Sequence, residues 1–118
     1  MNPLTLQTLE RMQLPRDGLR SKSWQEFASP GSCQLDFVFT VCDQAAGEAC
    51  PVWPGQPITA HWGVTDPAAF AGPSGERPRQ FMNAANTLKR RIELMLALPI
   101  ERLDALALQR EMQDIGKR

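Results

Sequence analysis

The apolar residues of this chain follow helical spacing near both ends and form one dense, non-alternating run in the middle. Asn2-Pro3 suits the start of a helix, and the apolar residues behind it predict a helix over about residues 3–14. Residues 35–41 read LDFVFTV, which combines β-branched and aromatic residues without alternation. Such a run predicts a strand inside a parallel sheet, buried on both faces.

The strongest helical pattern begins near residue 76. Its apolar residues fall on one face, and they are Phe81, Ala85, Leu88, Ile92 and Met95. We assign the basic run at residues 89–91 to a solvated face of the same helix. Weaker patterns predict a short helix near residues 24–28, a second strand at residues 58–62 and a last helix that ends at Gly116.

These elements predict an α/β fold in which a short parallel sheet is flanked by helices. A strand buried on both faces needs a paired strand on each side, yet only residues 58–62 offer another strand. The helices therefore outnumber the strands that would hold them. We expect a single domain over residues 1–118, because the length allows no more, and we expect that the first strands of a larger sheet are missing.

The charge balance excludes several classes of partner. Thirteen Lys and Arg residues offset thirteen Asp and Glu residues, so the chain as a whole is not attracted to a phosphate backbone or an anionic membrane. No apolar stretch approaches the ~18 residues of a membrane span, and the first residues lack the pattern of a secretory signal. We expect no nucleic-acid partner, no membrane association and a cytoplasmic location.

The loop after the central strand holds the candidate chemistry. From Cys42 to Pro57 the density of glycine and proline argues against regular structure, and long loops in compact domains are usually functional. Cys42 lies just past the predicted strand, where open α/β sheets place reactive groups, and Cys50 follows on the same loop. Two sulfurs on such a loop can bond and part again. Alternatively, they are small buried hydrophobes, or zinc ligands together with Cys33 and His61.

Asp66 stands in a second loop, directly before Pro67. Its carboxyl group could act as a general acid that protonates a leaving oxygen. On the residues alone, the better interpretation is that Asp66 caps the start of a short helix. His61 and Trp62 more often pack than catalyse, and Cys33 has no partner at a recognisable spacing.

Three motifs, taken together at their separations, resemble one family. They are DFVFTVCD from residue 36, CPVWPG from residue 50 and HWGVTDPA from residue 61. This combination is similar to the arsenate reductases built on the low-molecular-weight tyrosine phosphatase fold, and the similarity covers nearly the whole chain. The resemblance implies a three-layer α/β fold, of which this chain would form a part.

The resemblance also implies a relay of three thiols. In the family, a cysteine in a C-x5-R phosphate loop attacks arsenate, a second cysteine attacks that adduct and releases arsenite, and a third takes over the disulfide. Thioredoxin then reduces the disulfide, so it is the implied partner. By position, Cys42 resembles the second cysteine, Cys50 the third, and Asp66 the proposed general acid. We expect neither a metal nor another cofactor. A flexible loop suits thiolate attack on an accessible disulfide.

The sequence departs from the family in one respect. No cysteine is followed by arginine six positions later; Cys33, for example, is followed there by Phe39. In the family the first strand, the phosphate loop, the next helix and the second strand would precede Asn2, so we expect an N-terminally truncated reductase. Without the nucleophile and the phosphate cradle the chain alone is expected to be inactive. Arsenate is then a substrate only where the missing loop is supplied.

Three other functions stay open. A low-molecular-weight protein tyrosine phosphatase is the nearest, but such enzymes carry aromatic residues directly after the DP pair, where this chain has Ala68 and Ala69. A small dithiol protein would cycle between a disulfide of Cys42 with Cys50 and the two thiols. A non-catalytic interaction module would associate with another chain, or with itself, through the exposed edge of its strand.

Overall fold

The structure is a computed structural model that describes residues 1–29, 31, 34–42 and 55–118. The helices are α1 (Pro3–Arg11), α2 (Gln25–Ala28), α3 (Arg77–Leu96) and α4 (Ala105–Ile115). Short 3-10 helices lie at Pro67–Ala69, Ser74–Glu76 and Ile100–Arg102, and the strands are β1 (Phe37–Thr40) and β2 (Ile58–His61). Each helix and strand predicted from the sequence is confirmed, with ends that differ by a few residues.

The two strands pair in parallel, and Thr40 lies opposite His61 at the last register position. Backbone hydrogen bonds continue the pairing beyond the strands. The Trp62 N–H donates to the Thr40 carbonyl at 2.7 Å, and the Val64 N–H donates to the Val41 carbonyl at 2.8 Å. The predicted α/β class, with a short parallel sheet and flanking helices, is confirmed in these terms. Because the pairing is parallel, the loops that follow both strands leave the same edge of the sheet.

β1 is less buried than its apolar sequence predicts. All four of its residues are half-buried, and in the described part of the chain its strand partner is β2 alone. The expectation of an interior strand buried on both faces is therefore wrong for these residues. The physical reason is that α4 packs chiefly on β2, so β1 lies at the margin of the core.

The hydrophobic core lies between β2 and α4. Trp62 is 2% exposed, and its ring stacks on Phe39 with the ring centroids 3.8 Å apart. The Trp62 indole Nε1 donates to the carbonyl of Met112 at 2.9 Å, which satisfies the polar atom of a buried ring. The buried cluster consists of Ala60, Trp62, Met112 and Ile115. The prediction that Trp62 serves packing is confirmed.

Gly116 ends α4 as predicted, but for a different reason. Its φ of −61° lies in the ordinary helical region, so no left-handed conformation calls for glycine here. A Cβ at this position would lie 2.7 Å from the carbonyl oxygen of His61, which is too close for any side chain. Glycine therefore allows the end of α4 to approach β2.

α1 and α3 pack against each other, and α3 connects this pair to α4. Asn2 caps α1 by accepting from the Leu4 N–H at 2.8 Å, as the sequence predicts. The helix ends at Arg11, earlier than predicted, because Gln13 adopts a left-handed φ of 59°. α1 packs on α3, which also contacts α4 and the 3-10 helix at Pro67–Ala69. Among the described helices, none combines the length and apolar character needed to cross a membrane.

Candidate functional site

Two of the three predicted site residues lie on loops that leave the same edge of the sheet. Cys42 follows β1 by two residues and is half-buried, and Asp66 follows β2 by five. The hydrogen bond between Val64 N–H and the Val41 carbonyl ties these two loops together next to both residues. Cys50, the third predicted site residue, lies outside the described residues, as does Cys33.

A hydroxyl and an imidazole meet at this edge. Thr40 Oγ1 and His61 Nδ1 lie 2.7 Å apart, across the last register pair of the sheet. This hydrogen bond fixes the orientation of an imidazole ring that is exposed to solvent. The sequence favoured packing for His61, and its exposure shows that this prediction is wrong. The ring instead lies exposed at the carboxyl end of β2, beside the hydroxyl of Thr40.

Asp66 caps the 3-10 helix at Pro67–Ala69. Its Oδ1 accepts from the Ala68 N–H at 2.9 Å, and its side chain is exposed. The prediction that Asp66 caps a short helix is confirmed. The cap fixes the carboxylate close to the loop backbone and leaves it in contact with solvent.

Two arginines of α3 hold residues 63–70, here named the acid loop, against the helix. Arg91 Nη1 donates to the carbonyl of Gly63 at 3.1 Å, and Arg77 Nη2 donates to the carbonyl of Phe70 at 3.2 Å. At 1.5 Å per residue the two arginines stand about 21 Å apart along the helix axis. The acid loop is therefore fixed to α3 at both of its ends, with Asp66 between them.

Two concave surfaces border Asp66. The first, here named the polar cavity, has a volume of about 390 Å³ and lies between the acid loop and α3. The residues of α3 that line it with a polar side chain are Gln80, Asn83, Thr87 and Arg91. The second, here named the apolar groove, has a volume of about 780 Å³ and lies between α1 and α3, where it reaches Val41. The acid loop thus separates a polar recess from an apolar one.

Arg91 is the residue that the sequence interpretation missed. It is only 7% exposed, so its assignment to a solvated face is wrong, whereas Lys89 and Arg90 are exposed as expected. Burial lowers the pKa of the Arg91 guanidinium from its usual value, and the nearby charge of Arg90 lowers it further. Ile92, which was assigned to the apolar face, is 49% exposed. The other residues of the predicted face are buried or half-buried, so the buried side of α3 includes Arg91 in addition to most of the predicted face.

A signal for Arg91 does exist in the sequence. Gln80, Thr87 and Arg91 recur at helical spacing and form a polar stripe beside the apolar one. A polar stripe of this kind normally faces solvent, and nothing in the spacing alone shows that the acid loop covers it.

Metal ligation finds no support in the described part of the chain. No three His, Cys, Asp or Glu side chains there stand close enough together to hold an ion. The alternative zinc set includes Cys33 and Cys50, which lie outside the described residues, so that alternative stays a hypothesis.

Comparison with known proteins adds no family to this geometry. No family model matches the chain, and no curated protein matches it either. Within the described residues, the structure defines an α/β arrangement with two parallel strands, a cysteine after the first strand and a capping aspartate after the second.

Proposed function

We propose that this chain carries the thiol-exchange and acid segments of a thioredoxin-coupled arsenate reductase with the low-molecular-weight tyrosine phosphatase fold. One observation carries the proposal. The parallel register of β1 and β2 sends the loops of Cys42 and Asp66 away from the same edge of the sheet. Open α/β sheets bind their ligands at such an edge. A nucleophile loop brought to this edge would meet both a thiol and a carboxyl group.

The proposed chemistry moves two electrons from two thiols to arsenate. A phosphate-loop thiolate forms a sulfur–arsenic bond as one arsenate oxygen leaves as water, with a proton supplied by Asp66. The Cys42 thiolate attacks that sulfur; the sulfur–sulfur bond forms, the sulfur–arsenic bond breaks, and its electron pair leaves with arsenite. Cys50 then attacks Cys42 and releases the first thiolate. Thioredoxin returns two electrons by reducing the disulfide of Cys42 with Cys50.

The proposal requires a segment with the C-x5-R motif, which these 118 residues do not contain. Two apolar surfaces that are incompletely covered support the need for a further packed segment. β1 is half-buried with β2 as its one strand partner in the described residues, and the apolar groove leaves Val41 and Ile92 39% and 49% exposed. A strand and loop supplied from elsewhere would cover such surfaces, which are costly in water.

The acid loop favours a reductase over a phosphatase of the same fold. Phosphatases of this fold commonly place aromatic side chains directly after the Asp-Pro pair, where they flank a phenol. Here Ala68 and Ala69 occupy those positions, and both are exposed. Small residues leave that side of Asp66 open, which suits a small inorganic oxyanion better than an aryl phosphate.

Self-association is a second candidate function, because β1 presents a strand edge that β2 does not pair. Under this proposal a second copy of the chain pairs with that edge. Size-exclusion chromatography over a concentration series should then show a dimer that dissociates on dilution. A monomer at every concentration would contradict it.

The main proposal is tested by measuring how much NADPH is consumed when thioredoxin reduces the oxidised chain. After mild oxidation, the chain is mixed with thioredoxin, thioredoxin reductase and NADPH, and we expect about one NADPH to be consumed per chain as one disulfide is reduced. Cys42→Ser and Cys50→Ser should each abolish this consumption. Cys33→Ser is the matched control and should leave it unchanged.

Arsenate provides the second arm of this experiment. When arsenate is added to the reduced chain, we expect no further NADPH consumption, because the nucleophile and its phosphate cradle are not among these residues. Sustained consumption that depends on arsenate would contradict this part of the proposal. If Cys33→Ser abolished the NADPH consumption that follows mild oxidation, the assignment of Cys42 and Cys50 as the exchange pair would be contradicted.

A further inference from the structure

The polar cavity holds a buried cation that the proposed thiol chemistry does not use. Arg91 is more than nine-tenths buried and lines this cavity with its side chain. None of the ion pairs between described residues involves it. A buried charge is normally compensated by a counter-charge or by a full set of hydrogen bonds, since desolvation is otherwise costly. Arg91 therefore differs from the exposed basic residues beside it.

The hydrogen bonds of Arg91 leave one edge of its guanidinium without an acceptor in the part of the chain that the structure describes. Nη1 donates to the Gly63 carbonyl, whereas Nε is buried without an acceptor in the described residues. Nε and Nη2 form the opposite edge of the planar group, and this edge can donate two parallel hydrogen bonds to one oxyanion. The edge of Arg91 that could donate to an anion is thus the edge that has no acceptor within the described residues.

Neutral hydrogen-bonding groups from α3 line the same cavity. They are Gln80, Asn83 and Thr87, which stand on successive turns of the helix above Arg91. The side-chain amides of Gln80 and Asn83 can donate to further oxygens of a bound anion, whereas the Thr87 hydroxyl donates to the carbonyl of Asn83 at 3.0 Å. The volume of about 390 Å³ lies at the small end of the range for ligand sites.

One carboxylate borders the cavity and opposes an anion there. Asp66 is exposed, and its Oδ1 is occupied as the cap of Ala68. Solvent therefore screens its charge more than it screens the buried charge of Arg91. Arg90 adds a second positive charge on the neighbouring position of α3, although its own side chain donates to the carbonyl of Arg118.

We propose that the polar cavity is a binding site for a small oxyanion, which the Nε and Nη2 edge of Arg91 holds by a fork of two hydrogen bonds. The class includes tetrahedral ions, such as inorganic phosphate or sulfate, and small carboxylates, because each presents paired oxygen acceptors. This inference goes beyond the proposed function, since the site needs neither cysteine.

The proposal is tested by nuclear magnetic resonance of the arginine Nε–H groups during titration with sodium sulfate at constant ionic strength. The Nε–H of Arg91 should shift and saturate, while that of the exposed Arg79 should not. A parallel titration with sodium acetate distinguishes a site for tetrahedral ions from a carboxylate site. Saturation by either ion supports the proposal, and a shift that stays linear with both would overturn it.

A charge introduced into the cavity provides the decisive variant. Thr87→Glu places a carboxylate four residues before Arg91 on the same face of α3, where this carboxylate should pair with the guanidinium of Arg91 in place of a bound anion. We expect its sulfate affinity to fall at least about tenfold. Asn86→Glu is the matched control, because it adds the same charge at an exposed neighbouring position. It should bind sulfate as the parent chain does, and equal binding by Thr87→Glu would overturn the proposal.

Two further variants keep the test decisive if Thr87→Glu proves unstable. Asp66→Asn keeps the helix cap but removes the opposing charge, so sulfate should bind severalfold more tightly; unchanged or weaker binding would overturn the proposal. Cys42→Ser should leave sulfate binding unchanged. That result separates this site from the thiol relay, so either proposal can fail without the other.

Discussion

Asp66 shows how one side chain can serve the local structure and still be available for chemistry. Its carboxylate accepts the Ala68 N–H at the start of a 3-10 helix, which satisfies a backbone donor that the helix cannot pair. The same group faces solvent at the carboxyl edge of the sheet, near the loop of Cys42. Its structural role and its proposed acid role therefore need separate tests.

Substitutions at Asp66 separate the two roles. Asp66→Ala removes the cap and should lower the free energy of unfolding by about 1 kcal/mol. Asp66→Asn retains a capping oxygen and should change it by only about 0.3 kcal/mol, because asparagine and aspartate cap comparably. Urea denaturation measures both. Equal destabilisation by the two variants would show that the charge of Asp66, rather than its capping hydrogen bond, stabilises the fold.

Local signals allowed the helix caps to be predicted from sequence. Asn2 before Pro3 and Asp66 before Pro67 both cap the helices that their positions indicate. Caps depend on residues two or three positions apart, so tertiary structure seldom changes them. The burial of Arg91 could not be predicted in the same way, because it depends on a loop that begins 28 residues earlier in the chain.

At the scale of elements, α3 acts as the support for the acid loop. Arg77 and Arg91 each donate to a carbonyl of the loop, one at either end. Hydrogen bonds from charged donors are stronger than those from neutral donors. When such a bond is lost, the carbonyl is left without a donor, which lowers the stability of the folded chain. Arg77 is not one of the residues that line the polar cavity, so its substitution tests the support at the Phe70 end without removing a polar group from the cavity.

Arg77→Gln should loosen the end of the acid loop. The loss of about 1 kcal/mol of local stability should speed amide hydrogen exchange at Ala69 and Phe70 about fivefold, since these amides close the 3-10 turn. Arg79→Gln, at an exposed position of the same helix, is the control and should change neither rate. Equal acceleration in both variants would show that Arg77 does not hold the loop.

The limits of sequence prediction also differ between β1 and α3. The run at residues 35–41 predicted β1 correctly but overestimated its burial, because an apolar run shows the capacity for burial and not which neighbours are present. The 3.6-residue period predicted α3, and yet Ile92 is exposed where an apolar face was expected. Which side of a helix is buried depends on the elements that pack against it, here α1, α4 and the acid loop.

At the scale of the whole molecule, the chain is elongated, with principal extents of 45 × 30 × 29 Å. Its radius of gyration is 15.7 Å, whereas a compact chain of this length has a radius of about 13.5 Å. Among the described residues the fully buried apolar core is small and lies between β2 and α4. The elongated shape and the small core agree with the proposal that a further segment packs at β1 and the apolar groove.

The central claim is that Cys42 and Cys50 exchange a disulfide, and mapping the bond tests it most directly. The chain is mildly oxidised, its remaining thiols are alkylated, and its peptides are analysed by mass spectrometry before and after treatment with thioredoxin. We predict a bond between Cys42 and Cys50, an alkylated Cys33, and full loss of the bond after thioredoxin treatment. A disulfide that includes Cys33 would contradict the account. So would a Cys42 that is found alkylated after the oxidation step, because its thiol would then not have formed a disulfide.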